Sequence, residues 1–455
     1  MSSLLAKRPK IKDTRVIDNS NEHFSGINKI EFCNNQLENQ NETLCYRYYN
    51  HAEKINGHNI DEWLRFIINY KNVYEKSNVS NTFEKLKSTL VQPWDDGTST
   101  VENYKRRIRA FYELMLKLGM KYWTAAIEDI VPPCETLDEI FHHYDDIADF
   151  INELHQRTGI KLAWLSTDFP FLENDGKLNN PADQAQMFSL YGQQIKKAME
   201  MAQKLNTDGF LINCPSSSEY QNTICVNTNV SNELKNYAKM LKMIADYKDY
   251  IGYRGELLIG ISNNNKINHN CVEMFPDHQN NYLFDAFSTL CFLKQYNLDK
   301  QFRIKIQTPR EFLMISEYTG SVGAIDLSTT PTIKTCVTIM KTIFDNGLSH
   351  TPPGIVINGL SLRSNDYKNI FEDFIADIDT YVASLHVVFK MYSEGIITKN
   401  VHGYTGSTSF PNSLKECDEQ ARKINIIQLF KHITPNNTSH KRHWDILIER
   451  FKNNL

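Results

Sequence analysis

The chain is predicted to be an α/β protein: a closed eight-stranded β/α barrel of the TIM type, followed by a C-terminal helical arm. Two patterns carry this expectation. Short apolar, β-branched or aromatic runs alternate with longer amphipathic stretches along most of the chain, as βα units around a parallel sheet require. After Gly395 the alternation stops, and a Gly, Ser and Thr-rich link gives way to two further helical runs.

The candidate strands are 44–49, 122–127, 160–165, 209–213, 256–261, 302–307, 322–327 and 354–358. Between them, 101–118, 136–157, 183–205, 232–245 and 283–296 place apolar residues at helical spacing over three or more turns. A barrel assembled this way has its working face at the C-terminal ends of the strands. The expected organisation is a polar tail over 1–25, the barrel over 26–395 and the arm over 396–455. Such an arm buries its apolar face most economically on another subunit, giving a dimer or tetramer. No internal repeat is visible beyond the strand–helix alternation.

Composition narrows the functional classes. With 41% hydrophobic and 23% charged residues, the 455-residue chain is able to bury a large core. A formal net charge of -4 gives no electrostatic reason to expect nucleic acid or an anionic membrane as partner. The opening residues MSSLLAKRPKIKD lack the apolar core of a secretory leader, so the expected location is cytoplasmic. Nine scattered cysteines without a CxxC pair argue against a disulfide scaffold and a zinc knuckle, leaving reduced thiols as the expectation.

Several segments fall in register with a known family. LCYRYYN (44–50) is similar to LAFKYYN of that family's first strand, and IDEWLRFIINY (60–70) to MxEHLRFxVAYW of its first helix. QPWDDGT (92–98) parallels RPWDxxT, TGIKLAWLST (158–167) parallels TGIKLLWGTA, and QIKKAMEMAQKLNTDGF (194–210) parallels QVKKAMEITKRLGGEGY. YRGELLIG (253–260) and FLKQYNLDKQF (292–302) parallel FTGQLLIE and FLKKYGLDKDF. On these segments, spread from about residue 25 to about 425, the chain resembles the xylose isomerases, specifically their longer class with an N-terminal extension.

The resemblance implies a reaction in which two divalent cations polarise neighbouring sugar oxygens while a hydride moves between carbons. Such ions are held by several hard oxygen donors, mostly carboxylates. Position by position, this chain departs from that pattern. The family's FHDxDIAPEG reads AAIEDIVPPC here, so Ala126 and Ile127 stand at the His and Asp of the acid–base pair, and alanine neither takes nor gives a proton. LLIEPKPKEP reads LLIGISNNNK, with Gly260 at a bridging carboxylate and Ser262 at a lysine. IEANHA reads IQTPRE, with Gln307 and Arg310 at a carboxylate and a His, and a guanidinium has no lone pair for a cation.

GAIDLS keeps Asp326, but the ligand loop that follows in the family is missing, and IVINGL puts Asn358 at a last ligand Asp. Among the metal-binding positions, Asp326 alone keeps an ionisable oxygen. The expectation is a catalytically inactive relative without a cofactor, serving a structural, regulatory or sugar-binding role. It would assemble with itself or with an active paralogue.

Trp94 and Trp164 correspond to tryptophans that line the family's sugar pocket, and Phe83 to a phenylalanine that reaches a neighbouring subunit's site. Asn213, Ser262, Gln307, Arg310, Asp326 and Asn358 are expected to converge at the barrel mouth, where a sugar would bind. The alternative is an active aldose–ketose isomerase using Mg, Mn or Co through new ligands such as Asp129, Asp168, Glu273 or Asp277.

Overall fold

The computed structural model describes residues 22–33, 42–74, 94–168, 181–213, 230–261, 283, 285–319, 322–327, 330–346, 354–359, 367–398, 411–428 and 440–455. Eight parallel strands close into a barrel: β1 (Phe66–Asn69), β2 (Tyr122–Ala126), β3 (Lys161–Asp168), β4 (Gly209–Asn213), β5 (Glu256–Gly260), β6 (Phe302–Ile306), β7 (Val322–Ile325) and β8 (Ile355–Ile357). Closure comes from β8, which pairs with β1 through Ile355↔Phe66 and with β7 through Ile355↔Ile325.

The helices that wrap this sheet are α1 (Val101–Leu118), α2 (Leu137–Thr158), α3 (Pro181–Lys204), α4 (Val230–Ile251), α5 (Ala286–Gln295), α6 (Pro309–Thr319), α7 (Ile333–Asn346) and α8 (Lys368–Ser393). Their ends follow local chemistry. Thr100 and Thr136 cap α1 and α2 by accepting from the backbone N–H of Asn103 and Glu139. Both helices stop at glycines, Gly119 and Gly159, whose φ of 71° and 74° other residues adopt only with strain.

Seven strands lie where the sequence predicts them; the first does not. The family resemblance makes residues 60–70 a first helix, but the structure gives a single turn, Ile60–Trp63, and then β1, whose Phe66, Ile67 and Ile68 are buried. The 44–49 run joins no barrel strand. Tyr46 makes one isolated parallel bridge to Phe32, and the backbone N–H groups of Arg47, Tyr48 and Tyr49 donate to the Asp379 carboxylate on α8. Backbone donors satisfied by a carboxylate have no need of a neighbouring strand.

The cysteine expectation is also corrected: Cys33 and Cys45, twelve residues apart, form a disulfide with Cα atoms 5.9 Å apart. Cys134, Cys291, Cys336 and Cys417 are thiols. Among the described residues no helix is long and apolar enough to cross a membrane.

The C-terminal region divides in two. The last helix, α10 (His440–Asn453), folds back onto the chain's own barrel, and Phe451 packs with Val387, Met391 and Ile397 while Trp444 and Leu447 flank them. Lys334 pairs with Asp445 at 3.1 Å, and Lys390 donates to the carbonyl of Asn454. The barrel thus covers part of this helix's apolar face within the chain, while Ile446 stays 48% exposed. The preceding α9 (Leu414–Ala421) buries none of its residues, and beyond it Ile426 and Ile427 are 64% and 71% exposed. The link over 401–410 lies outside the described residues.

Candidate functional site

Strand parity decides which side chains enter the barrel. Ile67, Trp164, Leu211, Leu258, Ala324 and Val356 form an apolar cluster of their own, separate from the sheet–helix core. Residues two positions further along each strand share that inward face, because side chains alternate sides. Asn69, Asn213, Gly260, Asp326 and Asn358 therefore ring the C-terminal mouth, and Lys305 joins them from β6.

A chain of hydrogen bonds links four of these six residues. Asn69 accepts from the backbone N–H of Lys71 (3.1 Å) and donates to Asn358 Oδ1 (3.0 Å). Asn358 Nδ2 donates to Asp326 Oδ1 (2.7 Å) and to the carbonyl of Leu327 (3.2 Å). Lys305 Nζ donates to Asp326 Oδ2 at 2.9 Å, with 12% and 17% of the two side chains exposed. Both oxygens of the surviving carboxylate are thus engaged, one by an amide and one by an ammonium. A charge-assisted bond this sheltered from water is strong, and removing either partner strands the other.

Gly260 makes the arrangement sterically feasible. A side chain there would collide with Asn213 Oδ1 and begin 3.2 Å from Lys305 Cε, so the hydrogen at 260 leaves the room that the lysine stem crosses. Next to it, Gln307 donates to the carbonyl of Ile261 (2.6 Å). Buried Glu311 accepts from the backbone N–H groups of Thr308 and Ala286, tying the end of β6 to the start of α5.

The other predicted site residues are less united. Arg310 lies exposed in the first turn of α6. Ala126 ends β2 and Ile127 is buried at the start of a one-turn helix, so neither offers an acid or a base. Glu128 on the same turn accepts from Thr167 Oγ1 at 3.0 Å. Ser262, Phe83, Glu273, Asp277 and the side chain of Asp168 lie outside the described residues.

Trp164 does not line the mouth. Trp164 fills the barrel interior, where its ring occupies the space beside Gly209 and Gly354 at the strands' N-terminal ends. Trp94 is buried beneath Phe24, ring centroids 5.0 Å apart. Both rings are buried.

The residue that the motif comparison passes over is Lys305. Its signal was available in FRIKIQ, where period-two alternation puts Arg303, Lys305 and Gln307 on one face. Asn69 was missed with β1 itself.

Small divalent ions need several oxygen donors, mostly anionic. The described mouth offers one carboxylate, already paired with an ammonium, beside neutral amides. Among the described residues no group of three or more His, Cys, Asp or Glu side chains clusters for a metal. The described residues do not fit the two-cation site that the family resemblance implies.

No protein-family model matches the chain. Curated relatives do. The chain is 27% identical over 442 residues to the xylose isomerase of Staphylococcus xylosus, covering 89% of this chain and 94% of that protein. It is 24% identical over 464 residues to the xylose isomerase of Tetragenococcus halophilus, covering 94% and 99%. The xylose isomerase of Thermoanaerobacterium saccharolyticum matches at 25% over 409 residues, covering 83% and 87%. With likeness running along nearly the whole of these relatives and a closed parallel barrel beneath it, the chain is similar to the xylose isomerases over almost their full length.

Proposed function

We propose that this chain is a catalytically inactive xylose isomerase relative, retained for its barrel in a structural, regulatory or sugar-binding role. The observation that carries the reading is the Lys305–Asp326 pair. The carboxylate that matches a metal ligand is held 2.9 Å from a resident ammonium, while Gly260, Gln307 and Asn358 bring no charge. Sugar isomerisation by hydride transfer needs both oxygens polarised, and neutral amides do this far less well than divalent ions. Loss of clustered carboxylates also relieves the repulsion that such a cage suffers when no cation is present.

A neutral polyol is the ligand class that suits a mouth of amides around one internal ion pair. Self-association through the exposed 414–427 segment completes the reading, and a cytoplasmic location accords with it.

The test is turnover of xylose to xylulose by the purified protein with Mg, Mn or Co, together with elemental analysis. No xylulose and substoichiometric metal are expected. Stoichiometric divalent metal accompanied by turnover would overturn the reading in favour of an active isomerase with rearranged ligands.

A further inference from the structure

The mouth keeps a carboxylate whose charge needs an answer, and the answer comes from the chain itself. Asp326 is mostly buried, and a carboxylate withdrawn from water without a cation is costly. Lys305 enters from the neighbouring strand, since Lys305 pairs with Ala324 in the β6–β7 register two residues before Asp326. Its stem passes over Gly260, where any side chain would begin within 3.2 Å of Lys305 Cε. The ammonium then meets Asp326 Oδ2, while Asn358 holds Oδ1 and is itself held by Asn69.

We propose that Lys305 is a tethered cation: its ammonium occupies the cationic place at the barrel mouth, Asp326 and the Asn69–Asn358 pair are its cradle, and Gly260 gives its stem passage. The proposal deepens the reading of an inactive barrel and rests on it. It gives two of the altered positions, Gly260 and Asn358, a common cause. Glycine at 260 leaves the lysine stem and the Asn213 amide their room, since a Cβ there would sit 3.2 Å from Lys305 Cε and collide with Asn213 Oδ1, and the amide at 358 matches a cradle holding one positive charge rather than the higher charge of divalent ions. An amide donates one hydrogen bond to Asp326 and accepts another from Asn69, whereas a carboxylate at 358 could accept from Asn69 but not donate to Asp326.

The inference makes a specific demand. Shortening Lys305 to alanine leaves a channel the shape of the lost aminoalkyl chain, ending at an unanswered carboxylate. A small alkylammonium ion should restore what was lost, whereas an ion too bulky for the channel should not. The experiment compares thermal melting of the full chain, Lys305→Ala and Lys305→Ala/Asp326→Asn in ethylammonium chloride and in tetramethylammonium chloride at equal ionic strength.

Lys305→Ala is expected to melt roughly 5 °C or more below the parent. Ethylammonium should recover part of that loss through binding to the folded state alone, and the parent and the double variant should ignore it. Equal melting of Lys305→Ala in the two salts would overturn the proposal. Should Lys305→Ala fail to fold, folding of the double variant supports the proposal, because removing both charges removes the imbalance. Failure of both would make Lys305 a packing element and overturn it.

The parent reading fails separately, through stoichiometric metal and xylose turnover in the unaltered protein. A metal-free, inactive parent whose Lys305→Ala variant does not discriminate between the salts sinks the tethered cation alone.

Discussion

Arg65 and Asp208 are joined by a salt bridge at the floor of the barrel, the end opposite the Lys305–Asp326 pair. Lys161 also donates to Asp208, at 2.6 Å, and Arg65 lies 3.9 Å above the Tyr122 ring. Arg303 and Glu256, 3.1 Å apart, form a second pair between β6 and β5. Charges at the floor serve stability, since chemistry in such barrels belongs to the other face.

The floor predicts a specific acid sensitivity. Burial alone would raise the Asp208 carboxyl, but hydrogen bonds from Lys161 and Arg65 outweigh it and hold the group below the usual carboxylate range. A depressed folded value means that the stabilisation is complete above the unfolded value, near 4, and is lost as pH falls through the folded value. Asp61, held down to about 2 by hydrogen bonds from His51 and Tyr49 against its own desolvation, acts in the same window. Asp208→Asn should cost about 1–3 kcal/mol at neutral pH, allowing for its partial exposure. Urea midpoints from pH 6 down to pH 3 test this, and the variant should lose less over that range than the parent. Parallel curves would remove Asp208 from the acid response.

Trp164 separates packing from sugar recognition. Its ring lies against Gly209 and Gly354 inside the barrel, so Trp164→Ala opens a cavity among Ile67, Leu211, Leu258 and Val356. The expected loss is roughly 3–5 kcal/mol by chemical denaturation. A loss below about 1 kcal/mol, within the range usual for surface positions, would return the ring to the mouth.

Most of the sheet was legible because buried parallel strands read as short apolar runs, and GFLIN, ELLIG and VGAI admit little else. The first strand was hidden by its prefix. IDEW carries two acidic residues in a helical first turn, and the pattern runs on without a break into FIIN. The 44–49 run misled for the opposite reason: it has strand-forming residues, yet its backbone donors go to Asp379, more than three hundred positions away. The site divides similarly. What was lost from the mouth, at Gly260, Gln307 and Asn358, is visible in the motifs themselves. The new ion pair is not, because Lys305 and Asp326 meet only when β6 and β7 lie side by side.

The exposed segment after the link gives the last prediction. Leu414, Ile426 and Ile427 are 88%, 64% and 71% exposed, whereas α10 packs Phe451, Trp444 and Leu447 against α7 and α8. Apolar residues gathered on one short exposed stretch favour burial against another surface, and a second copy of the chain is the partner consistent with two-fold symmetric association. Sedimentation equilibrium at micromolar concentration should give a mass at least twice the 52.8 kDa of one chain. Ile426→Asp combined with Ile427→Asp should lower that mass toward a single chain. The fold of the protomer should survive, since a change at two exposed positions costs little folding free energy. A monomeric parent, or a double variant of undiminished mass, would show that this segment does not join subunits.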